Sequence, residues 1–364
     1  MAGLYVHIPF CRSRCIYCGF YSSTALDLRQ TYVEALVKEL QMRAQQTLAT
    51  IYLGGGTPSQ LTPQQLRQLF RAIYIYNKVE PNAEVTIEVN PDDVTPEFVA
   101  ALQQLPVNRV SMGAQTFSDA RLRWLRRRHT SAQVSQAVSL LRQAGIRNIS
   151  IDLMYGFPDE TLADWQSDIT SALALGVEHI SAYCLTIEEG TPLHQMSLPA
   201  LDEELERQMY YTLIDRLEAA GYEHYEISNF AQTGFRSRHN ASYWSAIPYI
   251  GIGAAAHSYD VRTRSWNVSD IRQYIDAINR GQRPYEEEII DADTRYNDAV
   301  TVALRTREGL PLSTLTDAQR THCLNAAQPY LANGLLRLTP DSHLALTRDA
   351  LFISDLIMSD LMFV

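Results

Sequence analysis

The sequence lacks several features that would otherwise assign it to a class. Its 364 residues contain no apolar run long enough to span a membrane, no low-complexity tract and no internal repeat beyond alternating strands and helices. Positive charge is scarce, because 31 basic residues stand against 41 acidic ones and give a formal net charge of −10. Nucleic acid is therefore not expected as a partner, since phosphate binding requires a dense basic surface.

Cysteine is also sparse, and its distribution is uneven. Of five cysteines, Cys11, Cys15 and Cys18 form a C-x3-C-x2-C run directly after the apolar segment 4–10. No second pair of cysteines is present to close a structural zinc site. Three thiolates can instead hold three irons of a [4Fe-4S] cluster and leave the fourth iron to a non-protein ligand. The spacing favours this open cluster over a zinc site completed by a distant His and over thiols without metal.

The two remaining cysteines, Cys184 and Cys323, stand alone and are predicted to be small core residues. Cysteines used in this way indicate a reducing compartment, so the chain is expected to be cytoplasmic. The cysteine loop occupies the place where a signal peptide would begin, and no such peptide is expected.

Short β-branched runs alternate with helical patterns over the first 230 residues. Strands are predicted at 4–8, 50–53, 84–89, 108–112, 148–154 and 179–185, and helices at 28–44, 63–76, 131–144 and 163–175. Such repeats imply a parallel sheet with right-handed crossovers. This periodicity fits both an open (β/α)6 barrel and a doubly wound sheet. The polar residues of interest follow the ends of the strands, where barrel proteins collect their sites.

The later part of the chain has a different sequence pattern. A long amphipathic helix is predicted over 202–219, and residues 235–259 are rich in aromatics, Gly, Arg and His. From residue 291 onward, helices and short apolar runs predict a small, mainly α-helical, winged-helix-like module. The predicted domains are therefore a core of 1–230, a connecting region of 231–290 and a C-terminal domain of 291–364.

Three polar features can each be interpreted either as structural or as functional. The glycines of Gly54–Pro58 have no following Lys, which excludes a P-loop, but they let the backbone approach a ligand and turn its N–H groups toward it. A tight strand–helix turn explains them equally well. Glu88 lies in a β-branched run, where a carboxylate is costly unless it is paired. His239 can be interpreted either as a buried histidine in an aromatic patch or as a metal ligand.

The residues His7–Cys11 and Cys15–Cys18 resemble the cluster loop of radical S-adenosylmethionine (SAM) proteins, in the group around oxygen-independent coproporphyrinogen III oxidase. That enzyme has a fourth cysteine where this chain has Phe20, and a long extension precedes its loop. Cys18-Gly19-Phe20 and the H-N-x-x-Y-W string of residues 239–244 are instead similar to the heme chaperone branch of this family, HemW. The resemblance implies an open (β/α)6 partial barrel.

The resemblance also implies roles for individual residues. Cys11, Cys15 and Cys18 would hold a [4Fe-4S] cluster whose open iron is capped by SAM. The expected SAM contacts are Tyr5, Tyr17, Gly55, Gly56, Thr57, Glu88, Gln115, Arg127 and Asp152. Arg127 follows from its spacing to Gln115, and a shift of one residue would select Arg126 or Arg128.

A second set of residues is expected to bind heme. His239 would be the axial ligand, with His257 as a weaker candidate, while Tyr243 and Trp244 would lie against the porphyrin. Arg236 and Arg238 would meet the propionates.

Two functions follow from the resemblance. The first is a heme chaperone that binds heme and a SAM-associated cluster and passes heme to acceptors such as respiratory enzymes. The second is a radical SAM enzyme that decarboxylates porphyrinogen propionates. The absence of the N-terminal extension favours the chaperone. A homodimer and peripheral membrane association are compatible with either function.

Overall fold

The computed structural model describes residues 2–199 and 201–363. All six predicted strands are confirmed, and they form the parallel centre of the molecule. Their bounds are β1 Ala2–Ile8, β2 Thr47–Gly55, β3 Lys78–Val89, β4 Arg109–Gln115, β5 Asn148–Tyr155 and β6 His179–Cys184. The helices between and after them are α1 Arg29–Met42, α2 Pro63–Tyr76, α3 Pro96–Leu102, α4 Asp119–Trp124, α5 Ser131–Gln143, α6 Leu162–Ala174 and α7 Glu203–Ala219.

Local signals explain why the helices begin and end where they do. The Thr62 hydroxyl accepts from the Gln65 N–H, and the Gln65 side chain accepts from the Thr62 N–H, which forms a capping box at the start of α2. Gly145 and Gly176 follow α5 and α6 with φ of +87° and +60°, the left-handed conformation that ends a helix at low cost.

The strands of the parallel sheet alternate between two faces. Leu4, Val6 and Ile8 of β1 are buried in the apolar core that the surrounding helices cover. Tyr5 of the same strand lies on the other face and lines an internal cavity. Because side chains alternate along a strand, one face of the sheet is apolar and the inner face is polar. The sheet therefore curves around a polar interior.

The sheet is extended at both sides rather than closed. The described residues form a 12-stranded sheet in the order β12-β11-β10-β9-β1-β2-β3-β4-β5-β6-β8-β7. The added strands are β7 Glu223–Glu226, β8 Asn229–Ala231, β9 Tyr249–Ile252, β10 His257–Tyr259, β11 Thr263–Asn267 and β12 Tyr285–Ile289. Because β1 pairs with β9 and β6 pairs with β8, the six-stranded barrel stays open.

The region predicted as a connector is part of this sheet. Strand β9 pairs in parallel with β1, and β10 to β12 continue the sheet in antiparallel fashion. The region also contains α8 Arg238–Trp244 and α9 Ile271–Asn279. The division into three domains remains a prediction, although residues 231–290 are joined to the barrel through backbone hydrogen bonds.

The C-terminal module has its own apolar core. It contains α10 Ala292–Ala303, α11 Asp317–Ala332 and α12 Ser354–Leu361 around a small antiparallel sheet of β13 Leu310–Pro311, β14 Leu336–Leu338 and β15 His343–Leu346. Tyr296, Val300 and Leu344 are among its buried residues. Within residues 2–199 and 201–363, none of the helices is both long and apolar enough to cross a membrane.

Candidate cofactor site

A cavity of about 700 Å³ fills the inside of the curved sheet. Side chains from all six parallel strands and from α8 line it. Most of the predicted site residues are brought together here, namely Tyr5, Tyr17, Cys18, Gly55, Gly56, Thr57, Glu88, Gln115, Arg127, Asp152, His239 and Tyr243. The convergence of residues separated by up to 238 positions supports one binding site rather than scattered polar features.

The cysteine loop lies at the end of the cavity where the parallel strands finish. Cys18 lines the cavity, and Cys11 and Cys15 each lie against a lining residue. The Thr57 hydroxyl is 3.5 Å from the Cys11 sulfur, and the Arg127 guanidinium donates to the Cys15 sulfur at 3.8 Å. Hydrogen bonds to sulfur are one way in which proteins tune iron–sulfur clusters.

The donor set of the cysteine loop fits an iron–sulfur cluster. Among the described residues, no group of three or more His, Cys, Asp or Glu side chains is arranged around one point that could hold a metal ion. A zinc site needs all its ligands within about 2.0–2.3 Å of one ion. The three loop thiols are all half-buried and free of disulfides, which suits a larger inorganic unit held at its corners.

Burial raises the pKa of the Cys11 and Cys18 thiols. Their protons must therefore be displaced by a cation when the thiolates become ligands. The residues that would hold the cluster are Cys11, Cys15 and Cys18.

The backbone of the glycine segment, residues 54–56, lies close to its neighbours, but the N–H groups of Gly55 and Gly56 already donate to protein acceptors. Gly55 has φ of +106°, and a Cβ there would lie 2.4 Å from the His7 ring, so only glycine fits. Its N–H donates to Glu88 at 3.1 Å, and the Gly56 N–H donates to the Ile8 carbonyl at 2.9 Å. The expectation that these two N–H groups face a ligand is therefore wrong. The segment contributes close approach instead.

Glu88 is both satisfied and accessible to a ligand. It accepts from the Tyr52 hydroxyl at 2.6 Å and from the Gly55 N–H at 3.1 Å. Desolvation raises its pKa to about 7, against the lowering effect of the Tyr52 hydrogen bond. Each carboxylate oxygen retains a lone pair for a further donor. Glu88 can thus accept from ribose hydroxyls while it remains anchored in the protein.

The structure distinguishes Arg127 from its two neighbours. Arg127 lines the cavity and donates to Asn90 at 2.9 Å and to the Gly113 carbonyl at 2.6 Å. Arg126 is exposed, and Arg128 forms ion pairs with Asp92 and Asp93. Of the three arginines, only Arg127 faces the interior, as the spacing predicts.

Gln115 and Gly113 shape the side of the cavity where Arg127 lies. Gln115 ends β4 with φ of +65°, a conformation that is uncommon for residues other than glycine. A Cβ at Gly113 would lie 2.6 Å from the Gln115 amide nitrogen and 3.0 Å from the Arg127 guanidinium. The glycine therefore leaves room for both side chains to reach the cavity.

Asp152 carries a second perturbed carboxyl group. Desolvation raises its pKa to about 6, although Arg109 and a hydrogen bond from Ser181 act in the opposite direction. Two carboxyl groups with pKa values near neutrality in one cavity are typical of a functional site.

His239 lies in an aromatic cluster at the other end of the cavity. It is 1% exposed, and its ring stacks near those of Tyr5 and Tyr52. Its Nδ1 is 2.8 Å from the Thr50 hydroxyl, and its Nε2 is 2.8 Å from the Tyr243 hydroxyl. Desolvation lowers its pKa to about 3, so the imidazole is neutral at physiological pH. A neutral imidazole is the form that ligates metals.

The structure separates Trp244 from this group. Trp244 does not line the cavity, and it packs against Tyr225 with ring centroids 5.9 Å apart. The reason is geometric, because five residues along a helix correspond to a rotation of about 140° from His239. Tyr243, four residues on, shares the face of His239. The prediction that Trp244 lies in the same site is wrong.

The arginines and the second histidine predicted for heme are also placed elsewhere. Arg236 pairs with Glu223 and Glu308, and Arg238 donates to the Asn82 carbonyl at 2.6 Å. His257 is exposed and stacks on Trp266. None of the three lines the cavity.

Comparison with known proteins agrees with this geometry. Residues 5–172 match the family model of the radical SAM superfamily. The heme chaperone HemW of Lactococcus lactis is 37% identical over 316 residues, which cover 84% of this chain and 82% of the relative. HemW of Mycobacterium tuberculosis is 34% identical over 373 residues, which cover 99% of this chain and 94% of the relative.

The chain belongs to the HemW family. The resemblance read from the cysteine loop and the H-N-x-x-Y-W string is therefore confirmed. Among solved structures, coproporphyrinogen III oxidase (HemN) from Escherichia coli superimposes with a TM-score of 0.87 at 20% identity and covers 99% of this chain and 90% of that chain. This likeness concerns the fold, and it confirms the open barrel over the doubly wound sheet.

Several cavity residues of this HemW-family chain were missed from the sequence. Cys184, predicted as a core residue, is half-buried and lines the cavity, whereas Cys323 is buried as predicted. Other lining residues that were not predicted as site residues are Tyr52, Asn90, Arg109, Ser111, Ser150, Ser181 and Tyr183. Strand alternation could have identified Ser111 and Ser150, because they face the same side as Gln115 on β4 and Asp152 on β5.

Proposed function

We propose that this protein is a heme chaperone, which binds heme together with a SAM-associated [4Fe-4S] cluster and transfers the heme to an acceptor protein. Membership of the HemW family supports this function, because its relatives in L. lactis and M. tuberculosis are named heme chaperones. The observation that carries the proposal is His239, a neutral and buried imidazole that lines the same cavity as the SAM-side residues.

His239 would be the residue that ligates the heme iron. The Thr50 hydroxyl lies against Nδ1, and this contact would fix the orientation and tautomer of the ring, as outer partners do for metal-binding histidines. Tyr243 lies against Nε2, so the Tyr243 hydroxyl has to move for Nε2 to reach iron. The aromatic rings of Tyr5 and Tyr52 beside His239 offer surfaces for a flat ligand.

The cluster and SAM would occupy the other end of the cavity. Cys11, Cys15 and Cys18 would hold the cluster, and SAM would contact Glu88, Gln115, Arg127, Asp152 and the glycine segment. The cluster supplies an iron to which SAM binds. The role of the protein residues is to orient the nucleoside and limit the access of water.

The acceptor is expected to be a heme-requiring protein such as a respiratory enzyme. The five free cysteines support a reducing, cytoplasmic location. Self-association into a homodimer is a further part of the proposal.

Heme binding is tested by purifying the chain anaerobically with hemin and recording its Soret absorbance. We expect a bound-heme spectrum that is shifted or lost in His239→Ala. His257→Ala is the matched control, because His257 is exposed and lies outside the cavity, and its spectrum should equal that of the unsubstituted protein. A protein without a heme spectrum would overturn the proposal.

The complete SAM side of the cavity favours one alternative function, the decarboxylation of porphyrinogen propionates. Supplying coproporphyrinogen III, SAM and a reductant tests it. Protoporphyrinogen formed over many turnovers would identify the protein as an enzyme, whereas no product together with a heme spectrum supports the chaperone.

A further inference from the structure

Arg109 is a buried cation that forms no ion pair among the described residues. It is the first residue of β4 and only 2% exposed, yet it lines the cavity. Its Nε and Nη1 atoms have no hydrogen-bond partner among the described residues, and it forms no ion pair with any of them. Burying a charge is costly unless it is paired, so an unpaired guanidinium facing a cavity indicates a missing anionic partner.

The strand neighbours of Arg109 are polar and also incompletely bonded. In the sheet register, Arg109 lies opposite Thr86 on β3 and Asn148 on β5. The Thr86 hydroxyl and the Asn148 side-chain oxygen are buried and without partners. Three adjacent unsatisfied side chains are unusual in a protein interior, where most buried polar groups are bonded. Of the three, only Arg109 lines the cavity, so it is the one that a ligand in the cavity can reach.

The acidic groups nearest to Arg109 form no hydrogen bond with it. Glu84 accepts from the backbone N–H groups of Arg238 and His239. Asp152 lies further along β5, toward the cysteine loop. The Arg109 charge opposes the desolvation that raises the pKa of Asp152, but the two side chains form no ion pair. The other titratable groups that Arg109 acts on are His179, Tyr52 and Tyr225. Burial lowers the pKa of His179 and raises the pKa of both tyrosines, so all three are neutral. Among the described residues, no carboxylate is therefore paired directly with the guanidinium.

We propose that Arg109 binds the carboxylate of a molecule that occupies the end of the cavity opposite the cysteine loop. A guanidinium presents a planar fork of donors that matches a carboxylate. Gln115, on the SAM side, is six residues further along β4, which is ~20 Å at the rise of an extended strand. SAM would place its own carboxylate at the cluster loop, so the carboxylate at Arg109 would belong to a second ligand.

Two sources of this carboxylate are a porphyrin propionate and a small organic acid. The porphyrin source rests on the proposed heme function, whereas the organic acid does not. Three probes separate them, namely hemin with free propionates, hemin dimethyl ester, and the porphyrin-free acids acetate, succinate and citrate.

The test compares the unsubstituted protein with Arg109→Met and with Arg147→Gln. Arg147 is exposed in the turn before β5, so its variant controls for the loss of one positive charge. We expect Arg109→Met to weaken hemin binding about 10- to 100-fold, while both proteins bind the dimethyl ester alike. If a porphyrin-free acid raises the melting temperature of the unsubstituted protein and not of Arg109→Met, the site is also supported and the source is the small acid.

The melting temperature without ligand gives an independent readout. Arg109→Met replaces an unpaired buried cation with an apolar side chain, so we expect it to raise the melting temperature of the ligand-free protein. If Arg109→Met fails to fold, Arg109→Lys retains the charge, loses the planar fork and should weaken carboxylate binding while preserving the fold.

Equal binding of hemin to Arg109→Met and the unsubstituted protein, with no acid distinguishing them, would overturn the proposal. An unsubstituted protein that fails to bind hemin would instead remove the proposed heme function, and the acids alone would then decide the role of Arg109.

Discussion

Glu88 shows how a single residue in this cavity combines structural and binding roles. It is held by Tyr52 and by the Gly55 N–H, and its pKa is raised to about 7 mainly by desolvation. A protonated carboxyl group loses acceptor capacity, because one of its oxygens becomes a donor. Ligand binding through Glu88 should therefore depend on pH close to neutrality.

We predict that SAM affinity falls as the pH is lowered through 7. The free carboxyl group becomes protonated below this pH, so binding to the ionised form should weaken roughly tenfold between pH 8 and pH 6. Calorimetric titration of the cluster-containing protein with SAM measures the effect. Glu88→Gln should bind more weakly and lack this slope, retaining only the change due to Asp152, whose pKa is about 6. An unchanged slope in Glu88→Gln would exclude Glu88 as the acceptor.

At the scale of an element, α8 closes the end of the barrel opposite the cysteine loop. His239 bonds to two neighbouring strands of the sheet. Its ring lies at hydrogen-bond distance from Thr50 on β2, and its backbone N–H donates to Glu84 on β3. Thr50 and Glu84 are partners in the register of these two strands. The Glu84 carboxylate accepts two N–H groups at the start of α8, where a helix favours negative charge. The helix that carries His239 is thus fastened to the barrel by a residue 155 positions earlier.

We predict that Glu84→Ala loosens α8. The substitution leaves two backbone N–H groups without an acceptor and should lower the free energy of unfolding by about 3 kcal/mol. Denaturant unfolding measures this loss of stability. Faster hydrogen exchange in α8 would show that the loss arises from this helix.

Glu80→Ala, in the same strand, is the control and should change the free energy of unfolding by less than about 0.5 kcal/mol. Equal effects of the two substitutions would show that Glu84 does not hold the helix.

The elements differ in how well the sequence predicts them. The bounds of α2 match the prediction at both ends, because Thr62, Pro63 and Gln65 are local signals for a helix start. The pairing of β9 with β1 was not predicted, because Tyr249 and Gly3 lie far apart in the sequence and nothing local marks their contact. The same holds for α8, whose position depends on Glu84.

For the whole molecule, the SAM side of the site could be predicted almost completely, whereas at the opposite end His239 and Tyr243 were predicted and Arg109 was not. Cys18 follows β1, and Glu88 and Asp152 lie in the C-terminal parts of β3 and β5, on the side where barrel proteins collect their sites. The resemblance to radical SAM proteins assigns roles to all three. Arg109 begins its strand at the other end, where residues usually serve stability. Its importance emerges only from its burial and missing partners, which depend on the packed structure.

The account depends most on a cluster held by three cysteines. Iron and acid-labile sulfide per chain, measured after anaerobic reconstitution, test this claim directly. We predict about four of each in the unsubstituted protein and in Cys184→Ser, because a [4Fe-4S] unit needs only the loop thiols, and a large loss in Cys15→Ser. Bound zinc, or iron far below four atoms per chain, would contradict the account.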